Sequence, residues 1–294
     1  MKTQILFICT DMMPYTPEGI IASIGRYLPQ GMAERGHEIR IFMPRFGIIN
    51  ERRNQLHEVI RLSGMNLIVN DTDHPLLLKV ASIQGTRLQV YFIDNDDYFT
   101  GRGQYSPQPG EKGHADLTPH REYADNAERC AFYARGVIET VRKLRWKPDI
   151  VFCQGWFTAI TPLYIKKAYG DDPCFRGTKV VFALYDNAFR SPLPAAFSRI
   201  IHRDGITRND LSELRDREVS CTDLCRLALR FSDALVISAT EPSQWLIDYA
   251  ERNEYPILRE LSTMEDEADR TAALDRYHTF FCRIMGRTEA EEEE

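Results

Sequence analysis

The chain has 294 residues, 43% of them hydrophobic, enough for the core of one large α/β domain or two small ones. Its 37 Lys and Arg against 43 Asp and Glu give a net charge of -6 without a basic stripe, which excludes nucleic acid as an expected partner. No apolar run reaches membrane-spanning length and the N-terminus carries no signal-peptide pattern, so no membrane partner and a cytoplasmic location are expected.

In chain order, Ile5 to Cys9 is an apolar run suited to a buried parallel strand, followed by a turn containing Pro14, Pro17 and Gly19. Ile21, Ile24, Leu28 and Met32 then recur at helical spacing, with Gly36 where a C-terminal cap would sit, and His37 to Met43 reads as the next strand. This βαβ unit predicts a parallel sheet with helices on both faces. Two β-rich runs, 76–81 and 88–93, flank Gly85-Thr86 and predict a hairpin appended to that sheet. Residues 100 to 120, rich in Gly, Pro and His without periodicity, read as a long surface loop.

Further on, the pattern predicts a helix over 123–144, a strand over 149–153, a helix over about 158–168 and a strand over 180–184. A helix around 224–231 leads to a buried strand, 234–238, and Pro242 suits the first turn of another helix. Beyond 259 charge dominates. The expected organisation is therefore an α/β, Rossmann-like, doubly wound and mostly parallel sheet with a β-hairpin insertion over 1–258. Residues 259–294 are expected to form a charged C-terminal extension ending in a solvated acidic tail.

The seven cysteines, Cys9, Cys130, Cys153, Cys174, Cys221, Cys225 and Cys282, are scattered and odd in number, as suits reduced thiols. Cys221 and Cys225 have no further ligands at metal spacing and read as two thiols one helical turn apart; no metal and no cofactor are expected.

Several stretches, in order from residue 5 to about 240, carry a resemblance. They are the strand-loop-helix from Ile5 to Arg40, Phe42-Met43-Pro44-Arg45-Phe46-Gly47 and Tyr91 to Phe99. They continue with Tyr123-Ala124-Asp125-Asn126-Ala127-Glu128-Arg129, Trp146-Lys147-Pro148-Asp149-Ile150-Val151, Trp156, and Pro162 to Lys166. Together they resemble the N-terminal lobe of glycogen and starch synthases, glucosyltransferases of the GT-B architecture. They look closest to the short single-lobe form found in Bacteroidetes-type bacteria. The resemblance implies one lobe of a GT-B fold, transfer of glucose from ADP-glucose to an α-1,4-glucan, and sugar nucleotide and α-glucan as small-molecule partners. It also implies a second lobe that holds the nucleotide. Residues after 250 do not read as that lobe, so a second-lobe protein partner enters the expectations.

Within the lobe, the resemblance places Gly19, Asp125, Asn126, Gln154, Trp156 and Tyr185 at the substrate crevice, with the catalytic residues unassigned. Retaining glucosyl transfer needs positive charge and fixed donors beside the leaving diphosphate. The family's loop K-x-G-G-L is here Pro17-Glu18-Gly19-Ile20-Ile21, so Pro17 stands for the Lys and Ile20 for the second Gly. The family's HCHDW is Phe152-Cys153-Gln154-Gly155-Trp156, and its later HN is Asp186-Asn187 after Tyr185. Gln154 can hydrogen-bond a sugar or cap the following helix. Asp125 can touch a ligand or cap its own helix, and Trp156 can stack on a sugar or pack inside. Two functions follow: a synthase-like glucosyltransferase domain, or a non-catalytic glucan- or sugar-nucleotide-binding or regulatory protein of glycogen metabolism.

Overall fold

A computed structural model describes residues 2–111 and 122–287. Part of the loop expected over 100 to 120, and the acidic end of the chain, lie outside the described residues.

The apolar run after the N-terminus forms β1 (Gln4–Ile8), and the periodic segment forms α1 (Ile20–Glu34), with Gly36 in the left-handed region at φ +90° just past its end. β2 (Glu38–Pro44) pairs parallel with β1. A short β3 (His57–Glu58) and β4 (Met65–Val69) precede β5 (Thr72–Ser82) and β6 (Gln89–Asp94). β5 and β6 make the predicted antiparallel hairpin, but β6 also pairs parallel with β2. The hairpin is thus continuous with the main sheet rather than appended to it.

The second half contributes α2 (Asn126–Lys143), β7 (Ile150–Gln154), α3 (Thr161–Leu163), which widens into a π-turn over Tyr164–Ala168, and β8 (Lys179–Tyr185). α4 (Phe197–Ile200), α5 (Cys221–Arg230), β9 (Ala234–Ser238) and α6 (Gln244–Arg252) follow, then β10 (Ile257–Arg259) and α7 (Glu267–Ile284). Ser220 and Asp223 close a capping box at the start of α5. Pro242 precedes α6 instead of sitting in its first turn, because Ser243 takes the N-cap position.

The sheet order is β10-β9-β8-β7-β1-β2-β6-β5-β3, with β4 on β5. From β6 to β10 every pairing is parallel. β6-β2-β1-β7-β8-β9 is the doubly wound order, which reverses direction between β1 and β7. Ligands in such sheets sit at the carboxyl ends of the strands beside that reversal.

The segment after 259 carries the charge read from the sequence, but it packs into the fold. Tyr277 and Phe281 of α7 are buried, and their rings lie 6.2 Å from that of Phe152; Phe281 also meets Phe7 at 6.5 Å. Leu274 lies against Gly31 of α1, so α7 shares the α1 face of the sheet. The helix is amphipathic, with its carboxylates and guanidiniums on the outer side and one apolar stripe inward. Among the described residues no helix is long and apolar enough to cross a membrane.

Candidate functional site

The carboxyl ends of β1, β8 and β9 open into a crevice of about 340 Å³, bounded on one side by the start of α1. The loop leaving β1 is fastened from below by Gln154, the last residue of β7. Its Oε1 accepts the backbone N–H of Thr10 at 3.1 Å and its Nε2 donates to the carbonyl of Ile21 at 3.0 Å. A fully buried amide therefore ties the β1 loop to the first turn of α1. Both ends of the Gln154 side chain are used by the backbone. Close approach finishes the joint: a Cβ on Gly25 would lie 2.1 Å from the carbonyl oxygen of Asp11.

Asp11 is the polar centre of the crevice floor. Its carboxylate accepts from Gln104 Nε2 at 2.6 Å, Thr10 Oγ1 at 3.0 Å and the Tyr105 hydroxyl at 3.3 Å. Burial pushes its pKa up, and these three donors only partly oppose that rise. Gln104 and Tyr105 reach Asp11 because Arg129 holds the segment before them. Its fully buried guanidinium donates to the carbonyls of Tyr98, Gly103 and Gln104 and to Asn126 Oδ1, at 2.7 to 2.9 Å. Burial lowers the Arg129 pKa to about 10, which leaves it charged near neutral pH. Asn126 in turn donates to the Tyr105 carbonyl at 2.9 Å.

Asp125 makes no side-chain cap on α2; its carboxylate grips Arg102 instead. Trp156 is 2% exposed, with Tyr105 5.0 Å away and Phe189 4.8 Å away between ring centres, so it lies inside the wall. Of the six residues expected at the site, Gly19 and Tyr185 line the crevice directly. Gln154 lies beneath it, while Asp125, Asn126 and Trp156 form a supporting layer that acts through the 102–105 segment. A Cβ on Gly19 would meet nothing within 4 Å, and its φ of 166° is extended backbone open to any residue, so the chain itself does not require glycine there.

The sequence reading passed over Asp11, Gln104 and Ser238, which line the crevice together with Asp186, the residue at the family's HN position. Asp186 accepts from the N–H and hydroxyl of Thr240 at 2.8 and 2.9 Å, which joins the ends of β8 and β9. Among the described residues the buried hydroxyls of Tyr185 and Ser238 meet no partner at full hydrogen-bond distance and angle, although Tyr185 lies close to Gln154 and Ser238, and Ser238 close to Tyr277. Burial drives the Tyr185 phenol well above its usual pKa, keeping it a neutral donor. The crevice thus presents carboxylates from Asp11, Glu18 and Asp186, with the buried hydroxyls of Tyr185 and Ser238 behind them. None of the described residues lining it is Lys, Arg or His.

Comparison with known proteins gives the same architecture. The model of the starch synthase catalytic domain matches residues 4–241. The glycogen synthase of Chlorobium luteolum is 30% identical over 217 residues, covering 71% of this chain and 42% of that protein. The glycogen synthase of Chlorobaculum tepidum is 28% identical over 246 residues, covering 83% and 47%. The catalytic domain of starch synthase IV from Arabidopsis thaliana, solved bound to ADP and acarbose, superposes with a TM-score of 0.66. It does so at 15% identity over 88% of this chain and 51% of that one, a likeness of fold. The matches span less than half the length of these curated relatives.

Proposed function

The chain belongs to the starch synthase catalytic domain family, and from that membership we propose that its crevice holds a neutral glucosyl unit of an α-glucan rather than the diphosphate of a sugar nucleotide. The observation that carries this reading is the lining. Three carboxylates and the Gln104 amide offer acceptors and donors to a polyol, with the hydroxyls of Tyr185 and Ser238 buried behind them, whereas a diphosphate would meet negative charge with no cation among the described lining residues to offset it. Departure of ADP from glucose needs preorganised positive charge. Pro17 and Glu18 occupy the loop positions where the family resemblance would put a lysine and its neighbour, and neither supplies it.

In this reading Asp11, Gln104, Tyr185 and Ser238 bind and orient sugar hydroxyls. Gln154, Arg129 and Asn126 hold those groups in place. The 294 residues act as the glucan-binding lobe of a glycogen- or starch-synthase type of glucosyltransferase, and activation of the donor falls to groups outside the crevice described. The non-catalytic reading, a glucan-binding or regulatory protein of glycogen metabolism, draws on the same observation.

Calorimetry of the 294-residue chain with maltooligosaccharides and with ADP-glucose tests the proposal. A glucan dissociation constant on the order of 1 mM is expected, equivalent to about -4 kcal/mol, with ADP-glucose at least roughly tenfold weaker. Tighter binding of ADP-glucose than of glucan sinks the proposal. A labelled-transfer assay with and without lysate of the source organism separates the two functions. Transfer restored by lysate supports the glucosyltransferase lobe, transfer absent in both supports the non-catalytic reading, and transfer by the pure chain overturns the assignment of donor activation to outside groups.

A further inference from the structure

A second cavity, of about 280 Å³, lies between α4 and the segment 208–216, on the long connection that leaves the crevice at Tyr185 and returns at α5. Its lining has the opposite electrostatic character. Arg199, Arg208, Arg215 and His202 face it, with Asp216 as the one carboxylate and Ser198 as a hydroxyl.

Three nearby acids, Asp210, Glu213 and Asp223, are committed elsewhere. Asp210 is buried and pairs with Lys167 at 3.0 Å while accepting the N–H and hydroxyl of Thr207 at 2.8 and 2.7 Å, which fixes the turn that carries Arg208. Glu213 pairs with Arg226 at 3.5 Å, and Asp223 with Arg217 at 2.7 Å. Among the described residues, no hydrogen bond or ion pair engages the guanidiniums of Arg199, Arg208 or Arg215. Three exposed guanidiniums without an ion-pair partner among the described residues thus face one small cavity, with only Asp216 in its described lining to oppose their charge. Each has planar, paired donors that match the oxygens of a tetrahedral anion, and Asp216 leaves an excess of positive charge suited to a dianion. The cavity lies near the low end of the range for small-ligand sites, about 300 Å³, which fits a small anion better than a polymer.

We propose that this cleft binds the phosphate group of a small molecule, through Arg199, Arg208 and Arg215. The site is separate from the carbohydrate crevice and does not depend on what that crevice binds.

The test is calorimetric titration of the 294-residue chain at pH 7 and low salt with orthophosphate and with ribose 5-phosphate. Single variants R199Q, R208Q and R215Q are compared with R52Q, an exposed arginine on a different part of the surface. All are surface substitutions, and unchanged thermal unfolding confirms that each variant is folded. Saturable one-to-one binding is expected, weakened about three- to tenfold by each cleft variant and unchanged by R52Q. Tighter binding of ribose 5-phosphate than of orthophosphate identifies an ester as the ligand; equal binding identifies the free anion; both support the site. Absence of saturation at concentrations on the order of 10 mM, equal loss in R52Q, or binding of heparin without binding of either phosphate overturns it.

Discussion

The Arg102 guanidinium holds the Asp125 carboxylate with two parallel hydrogen bonds, 2.6 and 2.7 Å long, at the point where the 102–105 segment turns over the crevice floor. Burial alone would push the Asp125 pKa up. The hydrogen bonds and charge of Arg102 outweigh burial and hold the carboxyl below its ordinary value. The folded pKa being depressed, the pair contributes fully above the unfolded carboxyl's value of about 3.9 and loses its contribution as pH falls through the folded value. Asp125→Asn is expected to cost about 1–2 kcal/mol at pH 7, a figure reduced for partial exposure, with the gap closing as pH is lowered below about 4. Urea unfolding across that range measures it. A gap independent of pH would show that charge is not what the carboxylate contributes.

Gly25 reverses the usual rule for glycine in a helix. At an open site inside α1, alanine would add about 0.5–1 kcal/mol by reducing the freedom of the unfolded chain. Here the new Cβ meets the carbonyl oxygen of Asp11 at 2.1 Å, and a backbone atom tied down by its neighbours cannot swing aside. Gly25→Ala is therefore expected to destabilise by about 1–3 kcal/mol and to loosen the β1 loop. Gly19→Ala, with open space around it, should stay within about 0.5 kcal/mol of the parent. Denaturant midpoints of the two variants, measured side by side, check the contrast. Equal midpoints would remove the argument from close packing.

Much of this architecture was legible from local pattern. β1, β7, β8 and β9 are nearly continuous apolar runs, and β2 becomes one from Ile41, because parallel strands buried on both faces tolerate little else. β4 was passed over although Asn70 and Asp71, both at positive φ of 49° and 61°, are a two-residue hairpin turn readable in the sequence. α7 was hidden by its charge: Leu274, Tyr277, Phe281 and Ile284 recur at helical spacing, but Asp, Arg and His between them dominate a reading by composition. The site was harder to read. Gln154 sits 144 residues from Thr10 and Gln104 sits 93 residues from Asp11, and only the folded sheet brings such pairs together. Asp125 and Asn126 were recognised through the family pattern, yet their chemistry is spent on Arg102, Arg129 and Tyr105, contacts that no local spacing encodes.

Tyr185 separates a structural role from a binding role. Its hydroxyl is buried beside the crevice and, among the described residues, meets no partner at full hydrogen-bond distance and angle, although Gln154 and Ser238 lie close enough to act on its titration. A buried, unsatisfied hydroxyl costs about 1–3 kcal/mol, so its removal relieves the fold. Tyr185→Phe keeps the ring and its packing and is expected to leave stability unchanged or to raise it by up to about 1 kcal/mol. If the hydroxyl serves a sugar, the same variant should bind maltooligosaccharides roughly three- to tenfold more weakly, the size of one lost neutral hydrogen bond. Urea unfolding and calorimetry on one preparation give both numbers. A loss of more than about 1 kcal/mol in stability would assign the hydroxyl to an internal bond. Unchanged stability with unchanged affinity would remove Tyr185 from the binding surface and leave Asp11, Gln104 and Ser238 to carry it.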